Sequence, residues 1–119
     1  MALVTVDNNK SYSRELVRLA KYNLVACGFQ KLTVDNTSGG VSMTVPNDAK
    51  YALCVVESDA TGTAIRYKQL AALSAPTSSE GIPRADLEVF DIQGYQNLIN
   101  FRAIQAQAGT HSIQIEYYK

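Results

Sequence analysis

A single histidine and two cysteines are the residues that could form a nucleophile–base pair or hold a transition metal. His111 would have to be the base of any Ser–His–Asp arrangement, yet no Gly-x-Ser-x-Gly turn is present to display a nucleophile. Cys27 and Cys54 lie far apart in the chain and lack the close pairing typical of zinc ligands. The sequence therefore predicts no catalytic residue and no metal site, and it predicts that His111 is a surface histidine at the start of the last strand.

Two pairs of carboxylates could in principle serve as an acid–base couple or as calcium ligands. Glu57 and Asp59 are two residues apart, as are Asp86 and Glu88, but neither pair lies in the dense Asp/Asn/Gly pattern of a calcium loop. We interpret them as solvated strand faces and turn caps. Gly39-Gly40 is not followed by a helix that could cradle a phosphate. The sequence thus predicts a non-enzymatic protein with no cofactor and no small-molecule substrate.

Length and charge narrow the class of protein further. The chain has 119 residues, which is enough for a single domain spanning 1–119, and 11 basic residues balance 11 acidic ones. This balance argues against binding nucleic acid or an anionic membrane through bulk charge. The first thirty residues lack the layout of a signal peptide, so we expect synthesis and folding in a host cytoplasm, with both cysteines reduced and buried.

From residue 30 onward, apolar and polar residues alternate with a period of two, broken by clusters of turn residues. The alternating runs are 31–34, 41–45, 51–57, 64–68, 86–92, 98–104 and 113–118, and we expect the first two, the next two and the last two to form three hairpins. Run 51–57 is apolar on both faces, as expected of a central strand that is covered on each side or lies at a contact. Seven to nine short strands predict an all-β fold, an antiparallel β-sandwich or jelly roll.

Two segments do not follow this period. Residues 13–22 fit either a short N-terminal helix, with Leu16, Leu19 and Ala20 on one stripe, or a strand. Residues 70–85 form a long polar loop with two prolines, and loops of that length are commonly functional.

The order of motifs from residue 51 to 118 resembles small β-sandwich virion structural proteins of tailed bacteriophages. The segments that carry the resemblance are Ile65-Arg-Tyr-Lys, Pro76-Thr with Gly81-Ile-Pro, Leu98-Ile-Asn-Phe-Arg-Ala-Ile and the closing Tyr117-Tyr118. The resemblance implies a capsid decoration or cement protein found in the virion. Its partners would be the major capsid protein, further copies of itself in an oligomer, or both. A tail or neck accessory protein, or a glycan-binding adsorption module, is the alternative.

Three elements are the expected contact regions of such a protein: an N-terminal docking arm over 1–21 held by a neighbouring subunit, the 70–85 loop, and the last strand. The candidate partner-binding residues in them are Leu3, Val4, Tyr12, Arg14, Pro76, Ile82, Pro83, Arg84, Tyr117 and Tyr118. For the glycan-binding alternative, loops 59–62 and 78–83 would form a site with Tyr67 or Tyr95, since amphipathic rings are common at such surfaces.

Overall fold

The computed structural model describes residues 24–70 and 73–119. Eight strands and one short helix follow in chain order: β1 Ala26–Val34, β2 Val41–Ser42, β3 Tyr51–Ser58, β4 Thr63–Lys68, β5 Ile82–Ala85, β6 Val89–Gln93, α1 Tyr95–Ile99, β7 Arg102–Gln105 and β8 His111–Tyr118. The predicted all-β class is confirmed. The predicted helix over 13–22 and docking arm over 1–21, with Leu3, Val4, Tyr12 and Arg14, lie outside the described residues.

The strands form two four-stranded antiparallel sheets packed as a sandwich. Sheet 1 has the order β1-β8-β3-β6, and sheet 2 has the order β2-β7-β4-β5. The first strand therefore pairs with the last, the second with the seventh, the third with the sixth and the fourth with the fifth. This is the pairing of one long hairpin wound around itself, the jelly-roll arrangement that the sequence predicted as one form of the sandwich.

The three predicted hairpins are wrong. Strands β1 and β2, β3 and β4, and β7 and β8 follow each other in sequence but lie in different sheets. At the first connection, Gly39 and Gly40 have φ values of +83° and +84°, and the chain crosses to sheet 2 instead of returning beside β1. A Cβ on Gly40 would lie 3.0 Å from the carbonyl oxygen of Ala103, so this crossing needs glycine.

Two further boundaries differ from the prediction. Strand β5 lies inside the predicted 70–85 loop. It pairs with β4, and among the described strands this is the one pair that is consecutive in the chain. The predicted strand over 98–104 instead begins as α1, and only its second half continues as β7. The predicted strand at 86–92 begins at Val89, because Asp86 and Leu87 form the turn after β5.

The core lies between the sheets and is joined by aromatic side chains. Tyr67 of β4 stacks on Phe90 of β6 with ring centroids 4.6 Å apart, and Phe101 completes the group at 5.3 Å from Tyr67. Tyr117 of β8 is buried, and its hydroxyl donates a hydrogen bond to the side-chain oxygen of Gln30 on β1. Strand β3 lies between β8 and β6, which confirms 51–57 as a central strand. Its inward residues Ala52, Cys54 and Val56 are buried, whereas Leu53 and Val55 on the outer face are only half-buried.

Both cysteines are free thiols, as predicted. Cys54 is buried in the core, whereas Cys27 is only half-buried. Burial raises the pKa of the Cys54 thiol to about 12, with the negative charge of Asp91 adding to the shift.

The raised pKa of Cys54 predicts a loss of stability in alkali. Unfolding returns the thiol to its ordinary pKa of 9.0, so between pH 9 and about 12 the unfolded chain releases a proton that the folded chain keeps. The free energy of unfolding should therefore fall by about 1.4 kcal/mol for each pH unit in this window. Burial also raises the pKa of Tyr51 and Tyr117, and these groups steepen the fall above pH 10.

Urea titrations at a series of pH values measure this slope. Cys54→Ala should make the fall between pH 9 and 10 smaller by about 1 kcal/mol, because the unfolded thiol releases about three-quarters of a proton over this unit. The tyrosines titrate in both proteins and leave this difference unchanged. Val34→Ala is the matched control, because it removes a buried core side chain that has no titratable group, and it should leave the slope unchanged. An equal slope in the Cys54→Ala variant and the parent protein would contradict the prediction.

Candidate contact surface

The histidine that the sequence singled out is not on the surface, which corrects the prediction. His111 does begin β8, but its side chain is 1% exposed. Its Nδ1 lies 2.7 Å from the hydroxyl oxygen of Ser58 at the end of β3, and its Nε2 lies 2.8 Å from the carbonyl oxygen of Gln107. With Nε2 donating to the carbonyl, Nδ1 accepts from the serine hydroxyl. The ring therefore joins the ends of two central strands to the turn before β8.

Loss of this ring should destabilise the fold. His111→Ala leaves the Gln107 carbonyl without its donor and opens a cavity, so we expect the free energy of unfolding to fall by about 2–3 kcal/mol. Ser58→Ala removes only one of the two contacts and should cost about 1 kcal/mol. Chemical denaturation measures both values, and an equal cost for the two variants would contradict this role of the imidazole.

Of the four carboxylates, Glu57 lies on a strand face and the other three accept backbone N–H groups at turns, as the sequence predicts. Asp59 accepts the Thr110 backbone N–H, and Asp86 accepts that of Ser58. Glu88 accepts the N–H of Ala85, while Glu57 on the sheet face accepts from Gln114. Within 24–70 and 73–119, no three His, Cys, Asp or Glu side chains come together as a metal site would need.

The feature best suited to binding another protein is an apolar surface at the β4–β5 hairpin. We name it the tip surface and define it as Leu70, Leu73 and Ile82, which are 62%, 86% and 45% exposed. The backbone N–H groups of Leu73 and Ser74 both donate to the Leu70 carbonyl, so the two leucines lie in one tight turn. Ile82 opens β5 opposite Tyr67 of β4. Solvent-exposed leucines beside each other are typical of contact sites.

A depression of about 540 Å³ adjoins the tip surface. Leu70 and Ile82 line it together with Lys68 and Asn97, the latter from α1. The ammonium group of Lys68 donates to the Ser74 hydroxyl at 2.8 Å, which connects the end of β4 to the turn that carries the two leucines. The depression is thus an apolar recess with a polar rim, the composition found at protein contacts.

On the other side of α1 lies a second, larger depression of about 870 Å³. Tyr95, Lys50 and Lys119 line it with residues of the turn at 47–49. The N–H of Gly94 donates to the Lys50 carbonyl at 2.7 Å and so fixes α1 against the start of β3. This depression carries two lysines beside an exposed tyrosine ring, and it is more polar than the one at the tip surface.

The predicted contact residues in the described part of the chain have different environments. Ile82 and Pro83 are exposed on β5, and Tyr118 is partly exposed on the outer face of sheet 1. Arg84 is half-buried, with its guanidinium 5.3 Å from the centre of the Phe90 ring. Pro76 and Tyr117 are buried, so their side chains are not available to a partner. Leu70 and Leu73 were not singled out from the sequence, because isolated leucines in a loop carry no signal of exposure.

Neither tyrosine of the predicted glycan site lies at the 59–62 turn. Tyr67 is buried in the aromatic core, and Tyr95 lies beside the residue that precedes β3. The 59–62 turn follows the other end of β3, about 26 Å away for an eight-residue strand.

Comparisons with known proteins add no assignment. No protein-family model, no curated protein and no solved structure matches the chain. Among the helices of the described residues, none is long and apolar enough to cross a membrane.

Proposed function

We propose that this chain is a non-enzymatic structural protein of a tailed-phage virion that binds the exterior of the capsid and reinforces the shell. The tip surface carries the proposal, because Leu70, Leu73 and Ile82 expose apolar side chains at the same hairpin, and exposed apolar clusters mark sites of protein contact. Their partner is the major capsid protein. The protein is made in the host cytoplasm and is then found in the virion.

The fold is compatible with this function and does not by itself imply it. Jelly rolls occur in viral capsid domains, lectins and cupins, so the topology alone does not identify the function, and the exposed residues must. Three features of the sandwich suit a protein that coats a shell in many copies. Strand β2 at one edge of sheet 2 is only two residues long, and β5 at the other edge contains Pro83; both features discourage edge-to-edge aggregation. A neutral overall charge limits repulsion between neighbouring copies.

The test uses purified protein and phage capsids that lack it. After mixing and sedimentation, we expect saturable co-sedimentation at a copy number set by the icosahedral lattice. The coated capsids should also resist heat and osmotic shock better than bare ones, because many weak contacts act together. Failure to bind intact shells would overturn the proposal. Binding to purified tails or to host polysaccharide instead would identify the accessory or adsorption role.

A further inference from the structure

The outer face of sheet 1 carries apolar side chains on three of its four strands, with the polar residues Gln114 and Glu116 of β8 between those of β1 and β3. The register aligns Phe29, Glu116, Leu53 and Asp91 in one row and Lys31, Gln114, Val55 and Val89 in the next. The alternate residues of the same strands point into the core. Phe29 and Val89, at the two edges, are 66% and 57% exposed, and the central Leu53 and Val55 are half-buried. We name Phe29, Leu53, Val55 and Val89 the sheet-1 patch.

Carboxylates surround this patch. Glu116 accepts from the Tyr118 hydroxyl, Asp91 from the Tyr51 hydroxyl and Glu57 from the Gln114 amide, so each is oriented on the face by an uncharged donor. Lys31 is the one basic residue in these rows. The face therefore combines apolar side chains with an excess of negative charge, and it favours an occupant that is apolar and basic.

The first 23 residues of the chain have that composition. They contain Lys10, Arg14, Arg18 and Lys21 against Asp7 and Glu15. Because the whole chain is neutral, the rest of it is acidic by the same margin. Their apolar residues form two groups, at 2–6 and at 16–20. Long basic side chains can lie along apolar surface while their charged ends reach neighbouring carboxylates.

The point where this segment joins the described chain lies beside the patch. Val25, just after it, exchanges two backbone hydrogen bonds with Lys119, of 2.8 and 2.9 Å. This pairing continues the β1–β8 ladder at the end of sheet 1 where Tyr118 lies opposite Tyr51, one row from Phe29. Four strands span about 14 Å. A segment of this length can cross that distance in any conformation, since even a helix of 23 residues is about 35 Å long.

We infer that residues 1–23 lie across the outer face of sheet 1 of their own chain, with their apolar residues on the sheet-1 patch and their basic residues near Glu57, Asp91 and Glu116. Attachment to the same chain gives the segment a millimolar effective concentration at this face, which a separate copy in dilute solution does not reach. The inference concerns the free protein and does not depend on the proposed function. Docking on a neighbouring subunit is the competing arrangement.

The absence of tryptophan from the chain makes an introduced tryptophan a specific probe. Leu19→Trp in the full-length protein should show blue-shifted emission that is shielded from acrylamide. Adding Phe29→Ser and Val89→Ser should shift the emission to that of exposed tryptophan and raise the rate of trypsin cleavage after Arg18 about tenfold or more. Glu116→Lys should weaken the docking in low salt and have little effect in high salt. Leu73→Ser removes an apolar residue that is more exposed than Phe29 or Val89 and lies elsewhere, and it should change neither readout.

Three other outcomes would each overturn the inference. Solvent-exposed emission in the Leu19→Trp protein would show that the segment does not dock. Shielded emission that survives Phe29→Ser with Val89→Ser would place the segment elsewhere. Shielding that is lost on dilution, together with a dimer or larger species by sedimentation velocity, would show that the segment belongs to a neighbouring copy. Circular dichroism and thermal unfolding of every variant confirm that the sandwich itself is folded.

Discussion

Alanine at Tyr67 is expected to lower the free energy of unfolding by about 3–5 kcal/mol. This ring stacks on Phe90 across the two sheets and contacts Phe101 at the start of β7, so its removal opens a cavity at the junction of three strands. The guanidinium of Arg84, 5.9 Å from the centre of the Tyr67 ring, also loses a favourable partner. Chemical denaturation monitored by circular dichroism measures the loss.

Two matched variants isolate the role of the ring. Tyr67→Phe keeps the stacked aromatic group and should stay within about 1 kcal/mol of the parent protein. Tyr95→Ala removes the exposed ring of α1 and should cost little, because surface substitutions away from special features stay within about 0.5 kcal/mol. Comparable losses for Tyr67→Ala and Tyr95→Ala would contradict the assignment of Tyr67 to the core and revive it as a surface residue of a glycan site.

The sequence predicts which strand residues are buried better than it predicts which strands pair with each other. Alternation over 113–118 places Ile113, Ile115 and Tyr117 on one face of a strand, and all three are buried, because side chains in a strand point to opposite faces in turn. The same alternation carries no information on pairing. In a jelly roll, β1 pairs with β8 at the far end of the chain, so the rule that consecutive strands form hairpins failed at three connections.

Local residue chemistry explains the remaining differences between the predicted and the observed structure. The five residues of α1 are too few to show a helical period, and Gly94, with φ +95°, precedes them in a conformation that the sequence does not reveal. Residues 82–85 were predicted as part of a loop because they contain Pro83, but proline is tolerated in an edge strand such as β5. His111 has the polarity of a surface residue, and its burial depends on Ser58 and Gln107, which only the folded chain brings to it.

The sequence predicted which segment of the chain forms a candidate contact region, but not which of its side chains are exposed. The length and prolines of the 70–85 loop indicated a functional segment, and Ile82 and Pro83 in it are exposed. The burial of Pro76 was not predictable, because proline in a loop can be either buried or exposed. The burial of Tyr117 follows from the alternation that puts it on one face with Ile113 and Ile115, which argues against its choice as a contact residue. The exposure of Leu70 and Leu73 follows from the turn that carries them outward.

Replacing both leucines of the tip surface should abolish binding to capsids while the protein stays folded. Leu70→Ser with Leu73→Ser removes two exposed apolar side chains that would each contribute about 1.5–3 kcal/mol when buried in a contact. The affinity of a single copy should therefore fall by about a hundredfold or more. Because both side chains are exposed in the free protein, thermal unfolding should be unchanged.

Leu87→Ser is the matched control, since Leu87 is as exposed as Leu70 but lies in the turn between β5 and β6. It should bind capsids like the parent protein in the same sedimentation assay. Ile82→Ser, which alters the edge of the depression beside the tip, should give an intermediate loss. Weaker binding by Leu87→Ser than by the double leucine variant would move the contact away from the β4–β5 hairpin. A uniform effect of all three changes would instead indicate nonspecific apolar adhesion, because only a defined interface separates residues of equal exposure by their position.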